Sequence, residues 1–284
     1  MEEARPSRTA LRVAMRRAAH QLYDARPLVF DDPFAVRILG PHAAEIERTP
    51  GRDPAFKPRP FSMALRAFLV ARSRYAEDLL AHSVTCGVTQ YVILGAGLDT
   101  FALRNPHLHL RVFEVDHPAT QAWKQDLLHA TNLPTPSNLT FVPVDFERQS
   151  LCEQLLANGF DAARPAFFSW LGVVPYLTQE AFRTTLSFVA AQPPGSGIVF
   201  DYGQPRAALP FRERLAFDSL ASRAQLAGES FRILFTPHQV AQELAAFYNL
   251  EDLGSHELND RYFTGRADNL RTMGNAGRIV SAWL

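Results

Sequence analysis

One apolar run limits the folds open to this chain, because Tyr91-Val92-Ile93-Leu94 leads straight into Gly95-Ala96-Gly97-Leu98-Asp99-Thr100. About twenty residues on, Arg111-Val112-Phe113-Glu114-Val115-Asp116 forms a second run and ends on carboxylates, the spacing at which a doubly wound sheet holds a nucleoside. Glycine lets the backbone approach a ligand with no side chain between them. Carboxylates at the end of the second strand can accept hydrogen bonds from ribose hydroxyls. The two segments together predict a ribose-bearing cofactor. Glu114 and Asp116 lie two positions apart on a strand, share a face, and are both candidates for the ribose clamp.

Helix and strand patterns alternate around this pair. Apolar residues at three- and four-residue steps predict helices over Arg8 to Tyr23 and Ser62 to His82. Pro27 breaks the first, Asp31-Asp32-Pro33-Phe34 opens another short helix, and Pro50 to Pro60 reads as a mobile loop. Beyond the glycine loop come a short helix from Thr100 to Leu103, a helix over Ala119–His129 and a strand over Thr140–Val144 ending on Asp145. A helix over Leu151–Asn158, a buried strand over Ala166–Leu171, a helix over Gln179–Ala191 capped by Thr178 and a strand over Ile198–Asp201 follow. The alternation predicts an α/β fold with a doubly wound, mostly parallel sheet and helices on both faces. After Gly203 the pattern becomes a helix over Leu209 to Leu226, a helix over His238–Phe247 behind the Thr236-Pro237 cap, and strands around Tyr248–Leu253 and Arg278–Leu284 with a polar loop between. No clean linker interrupts it. The expectation is one domain over 1–284, with a helical cap over 1–82, a cofactor-binding core over 83–203, a helical insertion over 204–247 and C-terminal strands over 248–284.

Lys plus Arg number 29 and Asp plus Glu 29, so the formal net charge is zero and a nucleic-acid binder held by bulk charge is not expected. The segment from Arg5 to Arg17 is basic but interleaved with Leu11, Val13, Ala14 and Met15, which reads as an amphipathic helix with a solvated arginine face. The two cysteines, Cys86 and Cys152, lie in no CxxC or Cys/His cluster. That predicts buried or half-buried thiols, no metal site and a reducing, cytoplasmic setting. No signal-peptide core opens the chain and no run approaches the length of a membrane span, so a small-molecule partner is expected.

A glycine loop with strand-end carboxylates suits two ligand classes. Dinucleotide dehydrogenases carry a third glycine where the helix N-terminus meets the pyrophosphate; here Thr100 stands there, with Asp99 beside it. A carboxylate there repels a pyrophosphate but tolerates the ammonium or sulfonium of S-adenosylmethionine, which has no phosphates. Asp145-Phe146, after the third strand, sets an acceptor for the adenine amino group beside an apolar ring face. Asp145 also reads as a helix N-cap, and one residue can serve both roles.

Three motifs together resemble the leucine carboxyl methyltransferase family of class I S-adenosylmethionine-dependent methyltransferases, above all its bacterial small-molecule branch. They are Ala71-Arg72-Ser73-Arg74-Tyr75-Ala76-Glu77-Asp78, Val92 to Thr100, and Phe113-Glu114-Val115-Asp116-His117-Pro118. Asp31-Asp32-Pro33-Phe34-Ala35 and Arg261 to Asp268 resemble that branch's terminal signatures. The resemblance implies that Arg72 pairs with the methionine carboxylate, a task suited to a bidentate guanidinium. It also implies Gly95 and Gly97 as the cofactor loop, Asp116 as the ribose acid, and Asp145 with Phe146 as the adenine contacts. This chain departs from the family twice. Leu171 stands where relatives carry the glutamate that meets the cofactor's amino group, and Phe101 where relatives carry arginine.

Methyl transfer from a sulfonium is an in-line displacement, so the protein's task is alignment and exclusion of water. A carboxylate acceptor is already ionised at neutral pH, whereas a phenol or alcohol needs a base. His117 and His20 read as structural. Tyr176, just past the fourth strand, is the candidate catalytic residue, either touching the acceptor or packing as an aromatic, and Asp201-Tyr202 is a weaker candidate. Leu209, Phe211, Leu215, Phe217 and Leu220 either line an aromatic pocket or complete the core. The expected activity is O-methylation of a small carboxylate or phenol of specialised metabolism. The competing readings are a nicotinamide-dependent oxidoreductase and an S-adenosylmethionine-binding protein without catalysis.

Overall fold

The computed structural model describes residues 7–47, 60–226, 228 and 230–284. The loop expected over Pro50 to Pro60 lies almost entirely outside the described residues. Ser7 caps α1 (Arg8–Tyr23), its hydroxyl accepting the Ala10 N–H at 3.0 Å. A 3₁₀ stretch (Arg37–His42) and α2 (Ala43–Glu47) follow. Asp31 to Phe34 therefore does not open a helix. Asp32 Oδ1 accepts the Phe34 N–H at 3.2 Å and forms a side-chain-closed turn instead.

From there the elements are α3 (Pro60–Thr85), β1 (Gln90–Leu94), α4 (Phe101–Arg104), β2 (Arg111–Asp116), α5 (Pro118–Ala130), β3 (Leu139–Pro143), α6 (Leu151–Ala157) and β4 (Ala166–Trp170). Then come α7 (Gln179–Ala190), β5 (Gly197–Gly203), α8 (Phe211–Leu226), α9 (Pro237–Glu243), β6 (Tyr248–Leu253), α10 (Ser255–Tyr262) and β7 (Gly277–Trp283). Thr178 and Thr236 cap α7 and α9, each accepting the backbone N–H three residues on. Helix α9 stops at Glu243, short of the expected Phe247. Helix α10 occupies what reads as a polar loop: Glu257 reaches back to the Gly254 N–H at 2.8 Å, but Leu258 is its one buried residue, too thin an apolar stripe for periodicity to register.

The strands form one seven-stranded sheet in the order β3-β2-β1-β4-β5-β7-β6. Strands β1 to β5 pair in parallel, and β7 runs antiparallel to both β5 and β6. All five residues of β1 are buried, as a strand covered on both faces must be. Alternation sends Val92, Phe113 and Phe168 to one face, against α6, α7 and α9, where Trp170 stacks on Phe182 with centroids 5.6 Å apart. Tyr91, Val112 and Phe167 go to the other face, under Val70, Ala71 and Tyr75 of α3. A third cluster joins Ala14 and Ala18 of α1 to Ile38, Leu39 and Leu127. Among the described residues, no helix is long and apolar enough to cross a membrane. Cys152 is half-buried as expected, but Cys86 is exposed, because it lies in the turn after α3 has ended.

Candidate active site

The chain leaves β1 for β2 and β3, then returns to lay β4 on the other side of β1. At this switch point the loops after the two central strands diverge and open a crevice. A cleft of about 580 Å³ lies there, lined by α1, α3 and the loops after β1, β2, β3 and β4.

Gly95 shows why the loop after β1 needs glycine. Its φ is +70°, and a Cβ there would meet Val173 Cγ2 at 2.2 Å. The loop is tied to β2 by Gly95 and Ala96 N–H bonds to the Val115 carbonyl, at 2.7 and 3.0 Å. The Gly97 N–H donates to Asp116 Oδ2 at 2.5 Å and the His117 N–H to Oδ1 at 2.6 Å. Each Asp116 oxygen thus keeps a lone pair beyond its backbone bond, and Asp116 lines the cleft. Burial pushes its carboxyl above the usual range, against the pull of those N–H groups.

Glu114 does not line this cleft, contrary to the ribose-clamp expectation. It shares a face with Asp116, but two residues before the strand end that face lies under α5. There Lys124 Nζ sits 2.5 Å from Glu114 Oε2 and also donates to the Asp99 carbonyl at 2.6 Å. Glu114 is 1 % exposed. It fastens α5 and the glycine loop to β2.

Asp145 and Phe146 both line the cleft. Asp145 Oδ1 accepts the Glu147 N–H at 3.0 Å and so closes a turn; the N-cap of α6 is Ser150, not Asp145. The Phe146 ring packs against Trp170 with centroids 6.3 Å apart. Arg72, on α3, is 6 % exposed, lines the cleft and donates from Nη1 to Asp201 Oδ2 at 2.7 Å. Leu171 lines the cleft and also packs into the cluster under α3.

Tyr176 ends a 3₁₀ turn (Val174–Tyr176) at the cleft wall, with its ring 5.5 Å from that of Phe231, which lies 5.8 Å from Phe217. Phe217 of the insertion thus backs this wall. Phe211 and Leu215, by contrast, are exposed and neither line this cleft nor complete the core. His117 caps α5, its Nδ1 accepting the Ala119 N–H at 3.3 Å. His20 is fully buried, 2.6 Å from Asp24, and its Nε2 accepts the Phe30 N–H at 3.3 Å.

Sequence reasoning missed a buried charge network beneath the loop. Arg17, placed on a solvated face, is 4 % exposed and lines the cleft. Its Nη2 binds Asp32 Oδ2 and donates to Thr100 Oγ1 at 2.6 Å, while Thr100 Oγ1 donates to Asp32 Oδ2 at 2.7 Å. The signal was present: Arg17 falls three and four residues after Ala14 and Val13, inside the apolar stripe. Arg104 pairs bidentately with Glu77 and stacks over Phe30 at 4.7 Å and Phe101 at 5.8 Å. A guanidinium therefore reaches this place from one turn beyond Phe101. Among the described residues, no group of three or more His, Cys, Asp or Glu could hold a metal.

Residues 10–190 match the family described as leucine carboxyl methyltransferase. YktD of Bacillus subtilis (strain 168), classed by name among S-adenosyl-L-methionine-dependent methyltransferases, is 34% identical over 292 aligned positions, which cover 95% of each chain. Two solved structures share the fold with a TM-score of 0.57. One is a DUF574 family protein of Streptomyces avermitilis, 19% identical and covering 96% of each chain; the other is a Thermobifida fusca protein, 15% identical and covering 99% of this chain and 96% of that one.

Proposed function

This chain belongs to the leucine carboxyl methyltransferase family and is an S-adenosyl-L-methionine-dependent methyltransferase, and on that premise we propose that it methylates the carboxylate of a small molecule. The cleft fits the cofactor: a Cβ-free loop at Gly95 beside an anchored, lone-pair-bearing Asp116 suits a ribose, and the Asp99 carboxylate in the lining disfavours a pyrophosphate. Asp116 would hold the ribose hydroxyls, Gly95 and Gly97 the methionine chain, Asp145 and Phe146 the adenine, and Arg72 the methionine carboxylate. When bound, S-adenosyl-L-methionine supplies a methyl group already activated on a sulfonium. The chain's own residues then have to align the acceptor and exclude water.

The observation that carries the choice of acceptor is that four candidate bases in the cleft, His117, Glu77, Asp99 and Tyr91, are engaged. Nδ1 of His117 is taken by the Ala119 N–H, Glu77 by Arg104, and Asp99 by the Phe101 N–H at 2.7 Å with Arg17 at 3.5 Å. Burial pushes the Tyr91 hydroxyl well up, and it bonds Ser169 at 2.7 Å. An acceptor that arrives ionised needs none of them. Tyr176 would touch that acceptor, and Gly228, Ser230 and Arg232 bring the insertion to the same cleft. The test is transfer of labelled methyl to a panel of acids, phenols and alcohols, with binding of S-adenosylhomocysteine and NAD(H) measured alongside. Transfer to acids is expected. Transfer to phenols alone, or tight cofactor binding without transfer to any acid, would overturn the proposal.

A further inference from the structure

We infer that Asp201, at the end of β5, is the positioning residue that aims Arg72 at the amino-acid end of the cofactor. The inference rests on the reading of Arg72 given above. An arginine on its long stem has many rotamers, and a carboxylate site needs one of them fixed beforehand. Asp201 fixes it from outside the cleft. It is 6 % exposed; its Oδ2 accepts from Arg72 Nη1 at 2.7 Å and its Oδ1 accepts the Gly172 N–H at 2.5 Å. One carboxylate thus ties α3, β5 and the turn after β4 together.

Gly172 completes the cradle. Its φ is +77°, and a Cβ there would stand 2.8 Å from Arg72 Nη2 and 3.1 Å from Nη1. The guanidinium therefore packs on the bare Cα of Gly172, with Nη1 held by Asp201. Arg72 and Gly172 line the cleft, and Asp201 does not. Leu171 offers no carboxylate from the loop after β4, and the acid that holds Arg72 comes from β5, behind the cleft wall. Its charge also balances the guanidinium. The paired site is then matched to a zwitterionic amino acid, whereas a bare buried cation would favour any anion.

The experiment compares two ligands that share a nucleoside. S-adenosylhomocysteine carries the amino-acid end, and 5′-methylthioadenosine lacks it. Calorimetry gives both dissociation constants for the wild type, R72M, D201N and G172A, with thermal melts of each ligand-free variant. In D201N the amide oxygen can keep the Gly172 bond while Nδ2 faces Arg72 donor to donor. D201N is expected to weaken S-adenosylhomocysteine about tenfold, the loss of one charge-assisted bond, while methylthioadenosine changes less than about twofold. G172A, which alters no charge, should show the same selective loss, and it carries the test if D201N does not fold. Equal weakening of both ligands, or of neither, by D201N and G172A would overturn the inference. If R72M itself leaves the ratio of the two affinities unchanged, the reading of Arg72 fails first.

Discussion

At Glu114 the second carboxylate oxygen, Oε1, is buried with no partner, and the Lys124 ammonium binds the first. That residue serves folding, while Asp116, two positions on, faces the cleft. Removing the charge at Glu114 leaves Lys124, 2 % exposed, without a counter-charge. E114Q is expected to lower the unfolding free energy by about 3 kcal/mol in denaturant titration, in the range for breaking a buried pair. S-adenosylhomocysteine affinity should change less than about twofold, as expected for a residue outside the cleft. A large affinity loss with little destabilisation would restore Glu114 to the ribose clamp. For Asp116 the sign runs the other way. Burial raises its pKa, and the ionised form is the one that accepts from ribose hydroxyls with both oxygens. Affinity should therefore be full above the raised pKa and fall as pH drops through it. The fall should begin above about pH 4, the ordinary aspartate range. Calorimetry across pH checks this, with D116N expected to bind weakly and without the same pH dependence.

Among the elements, those with two-sided burial or a strong cap were legible. β1 reads as a strand because all five of its residues are apolar or buried, and α7 starts where Thr178 can cap it. The turn at Asp32 and helix α10 were not legible. Each depends on a partner distant in sequence: Arg17 for the turn, and for α10 the Thr272 carbonyl, which accepts from Asn259 at 3.1 Å. The site divides in the same way. Arg72, Gly95, Gly97, Asp116, Asp145 and Phe146 meet at the cleft because strand ends and a family motif mark them. Glu114 was misplaced because alternation gives the face of a residue but not what covers it. The segment after α10 shows a further role that pattern alone cannot reveal. Arg266 donates to the Ala25 and Pro27 carbonyls at 2.7 Å each, and Asp268 Oδ2 accepts the Ala25 N–H at 2.8 Å. Burial would raise the Asp268 pKa, but Arg266 and the N–H groups of Ala25 and Leu270 outweigh it and hold it at about 2. A carboxyl depressed on folding stabilises above its unfolded pKa and loses that contribution as pH falls through the folded value. Wild type should exceed D268N in stability by about 1 kcal/mol near neutrality, after discounting for solvent screening. The difference should disappear between about pH 4 and pH 2 in acid titrations followed by circular dichroism.

For the molecule as a whole, the question is how a helix from the start of the chain comes to wall a cleft built by the sheet. Helix α1 supplies Thr9, Ala10, Val13, Ala14 and Arg17 to the lining. It is fastened at one end by the Ser7 N–H to Thr120 Oγ1 at 3.3 Å. The other fastening is the charge network, in which Asp32 is wholly buried and joins Arg17 to Thr100, with Arg104 Nε 3.7 Å from its other oxygen. Burial pushes the Asp32 carboxyl up, but the two guanidinium groups outweigh it and hold it below its usual range, so the lock is charged at neutral pH. D32A leaves Arg17 with only Asp99, 3.5 Å away, as counter-charge among the described residues, while Arg104 keeps Glu77; it should cost about 3 kcal/mol, whereas R17M/D32A should recover part of that loss because the under-paired charge goes with it. The network is therefore expected to couple α1 to the ligand. In the wild type, S-adenosylhomocysteine should slow hydrogen exchange across Arg8–Tyr23, since that helix walls the cleft proposed to hold it. In ligand-free D32A those amides should exchange faster than in the wild type. The ligand's affinity should drop as well, because part of its binding energy is then spent on ordering α1. If D32A loses stability while α1 exchange and ligand affinity stay as in the wild type, the network holds the core together but does not control how the cleft is walled.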